Sequence, residues 1–439
     1  MRDKITVNRE KNLGEFKIMN AVNNGPFHSI HTNDQLLSNF EDYKAAGIPY
    51  ARNHDAAFCS KYGGEHANDI SAIFPNFDAD PYDENSYDFV LTDEYIFTAK
   101  DAGTEVYFRL GQKIEHYKKK YGVIPPKDFK KWAVICEHII RHYNEGWANG
   151  YELNMKYWEI WNEPDLDLDE GPADRKRMWT GDRYQFFDMF EITAKHLKKC
   201  FPNIKVGGPA FAGQKGWVED FFRTMRDRDV KIDFISWHIY AYRIEDIMEK
   251  AEYMHGLMEE YGYGDAESIL NEWNYVKDWT TYFVDSIKTI ISIKGAAFVM
   301  ATMIASQYSS IDMLMYYDAR PCVFNGLFDF YSMKPLKSYY TLLWYSYFYK
   351  MENVIESKHS MNDIYALSGV DKNGKTLTVV SYYTDEDNMP NKNFEVDYGK
   401  KGNYEIYLLD DKHNGELIKT TDAAELEMAP NTCVLIKEI

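Results

Sequence analysis

Residues 156–166 read KYWEIWNEPDL, an aromatic segment that runs into a short polar cluster. Segment 157–161 is short, aromatic and β-branched, which is typical of a buried strand. Pro164 has no backbone N–H and disfavours helical geometry at the residue before it, so we expect the strand to stop at Glu163. The Glu163 carboxyl then lies at a strand mouth among tryptophan and tyrosine, where desolvation raises its pKa and lets it hold a proton near neutral pH. The plainer alternative is a carboxylate that only caps the strand end.

The chain around this stretch alternates predicted strands and helices. The apolar runs lack period-two alternation, as expected for strands that are buried on both faces. Eight strands alternating with eight helices predict a (β/α)8 TIM barrel over residues 16–350. The predicted strands are 16–22, 48–54, 104–111, 157–161, 204–210, 233–242, 267–274 and 311–319. The predicted helices are 33–47, 88–102, 126–144, 180–200, 215–227, one that ends at about 261, 281–305 and 334–350.

Residues 351–439 have a different pattern. Short segments such as IYALSGV, LTVVSYY and CVLIKEI alternate polar and apolar residues and are separated by turn sequences such as DKNGK and DKHNGE. This spacing predicts a small antiparallel β-domain, a β-sandwich that packs on the barrel. Residues 1–15 are mostly polar and contain one strand-like piece at 4–7, which we expect to add a strand to that domain.

The composition argues against several classes of partner. The 439 residues carry a formal net charge of −19, whereas nucleic acid or an anionic membrane would need a basic surface. The longest apolar run, 295–305, is too short to span a bilayer, and the N-terminus lacks the apolar core of a signal peptide. Five scattered cysteines without metal-site spacing predict reduced thiols, so we expect a cytoplasmic protein. The sequence leaves a homo-oligomer open.

Polar side chains stand at the ends of the predicted strands, where the mouth of a barrel carries its chemistry. Glu163 ends the fourth strand and Glu272, in LNEWN, ends the seventh, so the two carboxylates face a common space. Cleavage of a glycosidic bond needs such a pair, one to protonate the leaving oxygen and one to attack or stabilise the anomeric carbon. The alternative is that Glu272 only caps the next helix. The strand-end residues are Asn23, Arg52, His54, Arg109, Asn162, Glu163, His238, Tyr240, Glu272 and Asp318.

Neighbouring residues predict the role of each carboxylate. His238 and Tyr240 lie on the sixth strand, and the Tyr240 hydroxyl is placed to hydrogen-bond Glu272 and keep it ionised, as a nucleophile must be. Glu163, beside tryptophans, is then the acid. His238 could instead be a satisfied core histidine. No metal or cofactor is expected, because no compact ligand spacing is formed by His28, His31, His54 and His66.

The motifs WNEPD and NEWN, after the fourth and seventh strands, resemble those of the clan of (β/α)8 retaining glycosidases, and EIWNEPDL and DFISWHIY resemble glycoside hydrolase family 39 within it. Members of that family include β-xylosidases and α-L-iduronidases, and an accessory β-domain is a family trait. The resemblance covers the barrel in outline, with the strand-four motif as its most specific part. It implies Glu163 as acid/base and Glu272 as nucleophile. It also implies a sugar 2-hydroxyl bound by Asn162 and a glycone pocket lined by His54, His238 and Tyr240.

The eighth predicted strand departs from the xylosidase pattern. Xylosidases of the family carry a tryptophan there and adjacent glutamates just beyond it, whereas residues 313–321 read MLMYYDARP. Tyr316 or Tyr317 could supply the ring, but Arg320 stands where acids are expected. Arg320 would admit an anionic sugar, unless acids of the mouth neutralise it together with Arg52 and Arg109. The residues expected to contact substrate are Asn162, His54, His238, Tyr240, Arg52, Arg109, Trp273, Tyr317, Asp318 and Arg320.

The sequence therefore predicts a retaining exo-glycosidase that acts on small oligosaccharides or glycosides and is β-xylosidase-like. One alternative is the same fold acting on a β-glucoside, a β-galactoside, an α-L-arabinoside or a uronate. Two others are a sugar-binding barrel without turnover and a metal-dependent barrel hydrolase.

Overall fold

The computed structural model describes residues 3–28, 38–55 and 67–439. Strand β1 (Asp3–Asn12) precedes a closed barrel of eight parallel strands, in which the last strand pairs with the first. The predicted (β/α)8 fold is confirmed. The barrel strands are β2 (Ile18–Asn23), β3 (Tyr50–Arg52), β4 (Glu105–Leu110), β5 (Tyr157–Ile160), β6 (Lys205–Phe211), β7 (Phe234–Ala241), β8 (Glu267–Tyr275) and β9 (Met313–Tyr316).

Helices surround the barrel and bury their apolar faces against the strands. Local signals set their ends: the Asp182 side chain accepts from the backbone N–H of Gln185 in a capping box, and Gly146 ends a helix in the left-handed conformation. Of the predicted first helix, 33–47, the structure shows a helix over Phe40–Ala45 with Asn39 as its N-cap, and residues 33–37 lie outside the described residues. The helices are α1 (Phe40–Ala45), α2 (Ile70–Ile73), α3 (Val90–Asp101), α4 (Phe129–Glu145), α5 (Arg183–Cys200), α6 (Lys215–Asp227), α7 (Ile244–Glu260), α8 (Phe283–Ile290), α9 (Ile293–Gln307) and α10 (Lys337–Ser346).

The prediction of one helix over 281–305 is wrong, because two helices occupy this stretch. Helices α8 and α9 meet at an angle of 79°, and the Ser292 hydroxyl caps α9 by accepting from the backbone N–H of Gly295. A serine at this position offers the backbone an alternative to the continuous helix. Within the described residues, no single helix is long and apolar enough to cross a bilayer, and only the bent pair α8 and α9 passes that test together.

The C-terminal strands form one nine-stranded sheet that includes β1. Strand β1 pairs antiparallel with β10 and parallel with β13, and the other pairings are antiparallel. Strands from both halves of the sheet contribute to one apolar core, which includes Ile5, Val380, Phe394, Leu426 and Ile436, so the sheet folds over itself as a β-sandwich. The remaining strands are β10 (Asn353–Lys358), β11 (Ile364–Val370), β12 (Thr376–Tyr382), β13 (Lys392–Asp397), β14 (Tyr404–Leu409), β15 (Asn414–Thr421), β16 (Glu425–Met428) and β17 (Thr432–Glu438).

The sandwich packs directly on the barrel through α9. Val379 and Leu435 belong to the same apolar core as the barrel helices, and the Ser381 hydroxyl donates to the Ala297 carbonyl at 2.9 Å. The four cysteines among the described residues are free; Cys136 and Cys433 are buried, and Cys200 and Cys322 are partly buried. Cys59 lies outside the described residues.

Candidate active site

Two glutamates face each other across the barrel mouth. Glu163 follows the fourth barrel strand, β5, and Glu272 lies in the seventh, β8. One oxygen of each carboxyl group and one ring nitrogen of His238 lie within 4.8 Å of one another. His238 Nδ1 is 2.8 Å from Glu163 Oε1 and 3.5 Å from Glu272 Oε2, so this ring stands between the two acids.

The backbone after β5 turns sharply to present Glu163. The strand ends at Ile160 rather than near Glu163, and both Trp161 and Glu163 have positive φ, at 74° and 44°. The Glu163 backbone N–H donates to the Ala210 carbonyl at 3.0 Å, which ties the turn to β6. Positive φ is costly for residues with a side chain and persists where the surrounding structure holds it, often at functional sites.

Burial raises the pKa of the Glu163 carboxyl, as the sequence predicts. The predicted cause is wrong in one respect, because the neighbouring tryptophans point away from this carboxyl. Trp158 stacks on Phe108, and Trp161 donates its indole N–H to the Met178 carbonyl at 3.0 Å on the outer side of the barrel. Positive charges at His54, Arg52, Lys250 and Arg177 oppose the effect of burial on the Glu163 pKa.

Glu272 accepts hydrogen bonds from the barrel mouth. The Tyr240 hydroxyl donates to Glu272 Oε1 at 2.6 Å, which is the hydrogen bond expected from the sequence. On the other oxygen, Arg52 Nη1 lies at 3.4 Å and His54 Nε2 at 3.7 Å. Donors on both oxygens therefore hold the Glu272 carboxyl group in a fixed orientation at the cavity.

Arg52 lies below the cavity as the centre of a buried polar network. Its Nε donates to Glu159 Oε2 at 2.7 Å, and its two terminal nitrogens donate to Asn23 and Asn162. Glu159 in turn accepts from three other buried groups, on β4, β7 and β8. The network fixes the Asn162 amide, because Arg52 occupies its carbonyl oxygen and leaves the N–H2 group to donate into the cavity. The donors to Glu159 are Tyr107, Ser236 and Asn271.

A cavity of about 780 Å³ opens above the two glutamates. On the Glu272 side its wall is aromatic, with Trp279 and Phe324 packed around the Tyr240 ring at 5.0 and 5.9 Å between ring centres. On the Glu163 side the wall is aliphatic and carries amino and guanidinium groups. The lining residues are His54, Ile114, His116, Asn162, Glu163, Leu166, Arg177, Ala212, His238, Ile239, Tyr240, Lys250, Glu272, Trp279, Phe283, Tyr317 and Phe324.

Seven predicted site residues line this cavity, but Trp273 does not. Trp273 follows Glu272 on β8, and successive residues of a strand point to opposite faces. Its side chain is therefore buried outside the barrel strands, against Tyr316 and Phe298. The same alternation settles the choice on β9: Tyr316 points outward and Tyr317 lines the cavity.

Four other predicted contacts, Arg52, Arg109, Asp318 and Arg320, also lie outside the cavity lining. Arg109 donates to Asp69 at 2.6 Å and to the His54 carbonyl at 3.0 Å. Arg320 lies 3.2 Å from Asp55 and 3.4 Å from Asp318, and burial raises the pKa of Asp318 to about 6 while Arg320 opposes the shift. Acids of the mouth thus neutralise these arginines, which removes the basis for an anionic sugar.

Groups of side chains that could converge on a metal ion occur twice among the described residues. One is the cavity group of Glu163, His238 and Glu272; the other is Glu137, His196 and Cys200 on the outer face of α4 and α5. Of the histidines considered from the sequence, His28 contacts Ser38 and His54 lines the cavity. The other two, His31 and His66, lie outside the described residues.

Several cavity residues were not predicted from the sequence. Most lie on the loops after strands, whose positions no periodic pattern specifies; Lys250 instead comes from the second turn of α7. Among them, Trp279 could have been singled out from the sequence, because a tryptophan within the polar segment KDWTT, 277–281, is unusual. The unpredicted residues are Ile114, His116, Leu166, Arg177, Ala212, Ile239, Lys250, Trp279, Phe283 and Phe324.

A closed (β/α)8 barrel with paired glutamates after its fourth strand and on its seventh has the architecture of the barrel glycosidases. The model of the glycosyl hydrolases family 39 matches residues 32–282, more than half of the chain. The chain belongs to this family.

The named relatives of this chain include two β-xylosidases and, at 21% identity over 120 residues, an α-1,4-L-rhamnosidase of Formosa agariphila. The chain is 32% identical over 124 residues to a β-xylosidase of Geobacillus stearothermophilus, which covers 28% of this chain and 23% of that protein. It is 26% identical over 262 residues to a β-xylosidase of Caldicellulosiruptor saccharolyticus. The aligned region is 56% of this chain and 49% of that protein. The chain thus spans half or less of the length of these relatives.

The fold matches a solved structure over its whole length. A glucosidase from Croceicoccus marinus superposes with a TM-score of 0.79 at 20% identity, covering 100% of this chain and 99% of that chain. At this identity the likeness establishes the shared fold, including both the barrel and the β-sandwich.

Proposed function

We propose that this protein is a retaining exo-glycosidase in which Glu163 is the acid/base and Glu272 the nucleophile. The observation that carries the proposal is the spacing of the two carboxyl groups, whose nearest oxygens lie within 4.8 Å. Retaining glycosidases hold their carboxyl groups about 5–5.5 Å apart, whereas inverting enzymes need about 6.5–9.5 Å to admit a water molecule. The spacing supports the first geometry.

The reaction would proceed by two displacements. In the first, Glu272 attacks the anomeric carbon while Glu163 protonates the leaving oxygen, so the glycosidic bond breaks and a glycosyl ester forms on Glu272. In the second, Glu163 takes a proton from water, the water oxygen attacks the anomeric carbon, and Glu272 leaves as a carboxylate. Each displacement inverts the anomeric carbon, and two inversions retain its configuration.

The environments of the two glutamates match these roles. Burial raises the pKa of Glu163, which favours the protonated form that the first step uses. Glu272 is oriented by the hydrogen bond from the Tyr240 hydroxyl and by the nearby Arg52 guanidinium, as an attacking carboxylate must be. Asn162 presents its amide N–H2 to the cavity and is placed to donate to the sugar hydroxyl next to the anomeric carbon.

The substrate we propose is a β-xyloside or a closely related small glycoside. Support comes from two relatives that are named as β-xylosidases and are more similar to this chain than the rhamnosidase is, and from a cavity whose volume of about 780 Å³ suits a small ligand. Because Arg320 is paired with Asp55 and Asp318, a uronate is the least favoured of the alternative glycones. The negative net charge disfavours nucleic acid or membrane partners, and the free cysteines support a cytoplasmic location.

A panel of aryl glycosides tests the activity. The wild type is assayed beside Glu163→Gln and Glu272→Gln, with Glu267→Gln as a matched control at the opposite end of the same strand, β8. We expect one glycone to be cleaved by wild type and control and the two site variants to lose at least a hundredfold in kcat/KM. If pure wild-type protein cleaves no member of the panel, a sugar-binding barrel becomes the better account. If a chelator abolishes turnover, a metal-dependent hydrolase does.

A further inference from the structure

Lys250 is a buried amine in the wall of the active-site cavity. Its ammonium donates to the His238 carbonyl at 2.6 Å and to the Ala212 carbonyl at 3.1 Å, and it forms no ion pair with a carboxylate among the described residues. Burial lowers the pKa of this lysine to about 8. A buried cation without an ion pair is expensive, so its presence beside the two glutamates calls for a functional explanation.

The two carbonyls that Lys250 holds belong to elements on either side of Glu163. The Ala212 carbonyl is in the loop between β6 and α6, and that loop is also bound by Asp165, two residues after Glu163. The Asp165 carboxylate accepts three backbone N–H groups of this loop, at 2.7–2.9 Å. His238, whose carbonyl Lys250 also holds, contacts Glu163 Oε1 with its ring. Asp165 and Lys250 therefore both hold the loop between β6 and α6, and Lys250 also holds the backbone of His238, whose ring contacts Glu163.

The loop leaves room for the ammonium only because residue 213 is glycine. Gly213 has a φ of 118°, in a region that residues with side chains rarely adopt, and a Cβ atom there would lie 2.5 Å from Lys250 Nζ. The loop geometry and the lysine thus fit each other.

Among the cations near Glu163, Lys250 differs in having only neutral partners. Arg52 is held by Glu159, and Arg177 donates twice to Asp167, at 2.8 and 2.9 Å. Within the described part of the chain, Lys250 is therefore the cation of this group whose charge is not neutralised by a hydrogen-bonded carboxylate. The titratable and charged groups that face Glu163 are Arg52 and His54 from the β3 region, Asp165 and Arg177 from the segment after β5, His238 and Tyr240 from β7, Lys250 from α7 and Glu272 from β8.

We propose that Lys250 is a positioning residue for Glu163: it clamps the β6–α6 loop to β7 and keeps a positive charge beside the acid/base carboxyl. This inference rests on the proposed function of Glu163. Burial favours the protonated carboxyl that the first displacement uses, and the lysine charge favours the carboxylate that the second uses. Lys250 thus keeps one side chain usable in both steps.

The test compares Lys250→Met with Lys17→Met, a matched control far from the cavity. Lys17 also donates to two backbone carbonyls, those of Ser309 and Ile311, at 2.6 and 2.9 Å. We expect the basic limb of the kcat/KM–pH profile to move to higher pH in Lys250→Met and to stay in place in Lys17→Met. Because loss of the clamp between the β6–α6 loop and β7 should displace the Glu163 carboxyl, we also expect kcat/KM on an alkyl glycoside, which needs the acid, to fall at least tenfold more than on a dinitrophenyl glycoside, which does not.

A second readout works without turnover. The pKa of the Glu163 carboxyl is measured by carbon-13 NMR on protein labelled at glutamate, with Glu163→Gln to assign the signal. A higher Glu163 pKa in Lys250→Met than in wild type and Lys17→Met supports the inference. An unchanged titration and an unchanged pH profile overturn it.

A third variant, Lys250→Gln, covers the case in which Lys250→Met does not fold, and the NMR titration covers the case in which no activity is found. If Lys250→Met does not fold, Lys250→Gln removes the charge and keeps an N–H donor, and the same two outcomes apply to it. Because the NMR titration needs no substrate, the absence of glycosidase activity would refute the proposed function and still leave this inference measurable.

Discussion

The Tyr240 hydroxyl lies 2.6 Å from Glu272 Oε1 and donates a hydrogen bond to it. The two residues lie on adjacent strands, β7 and β8, where His238 is the register partner of Glu272 and Tyr240 is two residues further along β7. The Tyr240 ring is held by Trp279 and Phe324, so the donor is fixed in place before substrate arrives. A preorganised donor on a carboxylate is one means of keeping a nucleophile ionised and aimed.

Tyr240→Phe should lower kcat/KM by about tenfold to a hundredfold, because a hydrogen bond to a charged group contributes about 1.5–3 kcal/mol. The measurement is steady-state kinetics on the best aryl glycoside. Tyr345→Phe is the matched control: its buried hydroxyl bonds the Lys17 carbonyl and Gln307 at the other end of the barrel. Equal losses in the two variants would show that Tyr240 acts only through general stability.

The two tryptophans near Glu272 should respond differently to substitution. Trp279 is 55% exposed and lines the cavity. Trp279→Ala removes an apolar ring from the cavity wall, so KM should rise severalfold while the free energy of unfolding changes little. Trp273 is buried outside the strands, so Trp273→Ala should lower the free energy of unfolding by about 3–5 kcal/mol. Denaturant unfolding and kinetics on both variants check this. A raised KM in a fully stable Trp273→Ala would contradict the placement.

Strand order and strand ends could be predicted because periodic patterns record them. Glu163, Glu272 and Tyr240 lie where the apolar runs stop, and the barrel then brings them together. The prediction that Trp273 contacts substrate was wrong because every polar or aromatic residue near a strand end was taken as inward-facing. Alternation along β8 instead places Glu272 and Trp273 on opposite faces of the strand.

Other features of the site could not be predicted because they depend on tertiary contacts. Trp279 and Phe324 come from loops, whose paths no local pattern specifies. From the sequence, Arg109 and Arg320 stand at or near strand ends, which is why they were predicted to contact substrate. Only their distances to Asp69 and Asp55 in the structure show that they are already paired. The break between α8 and α9 likewise rests on one serine cap inside an otherwise helical pattern.

Arg52→Met should destabilise the fold strongly. Arg52 and Glu159 form an ion pair at 2.7 Å with both side chains inaccessible to solvent, and removal of one partner leaves the other charge buried and unpaired. The expected loss is about 3–5 kcal/mol in the free energy of unfolding, measured by chemical denaturation. Arg243→Met, which removes an exposed pair to Glu245 at 3.7 Å, should change stability by less than about 1 kcal/mol. A near-neutral Arg52→Met would mean that the buried network is not needed for stability.

His238 should make stability depend on pH in the acidic range. Burial lowers the pKa of His238 from 6.5 to about 3, so between these values the unfolded state binds a proton that the folded state does not. Its contribution is therefore complete above pH 6.5 and is lost as the pH falls toward 3.

His238→Asn keeps a donor near the Nδ1 position and cannot titrate. As the pH falls from 6.5 toward 3, the stability of wild type relative to this variant should fall by about 1.4 kcal/mol for each pH unit. Denaturant unfolding of both proteins at several pH values measures the slope. Parallel stability curves would contradict a neutral buried imidazole.

The most direct test of the central claim is the anomeric configuration of the azide products formed by two variants. In Glu272→Ala, azide takes the place of the nucleophile and attacks the substrate itself, so the account predicts a glycosyl azide of inverted configuration. In Glu163→Ala with an activated aryl glycoside, azide attacks the glycosyl-enzyme, so the product should keep the substrate configuration. Exchanged configurations would mean that the two roles are reversed. No azide product from either variant, with an inverted sugar released by wild type, would contradict the double displacement.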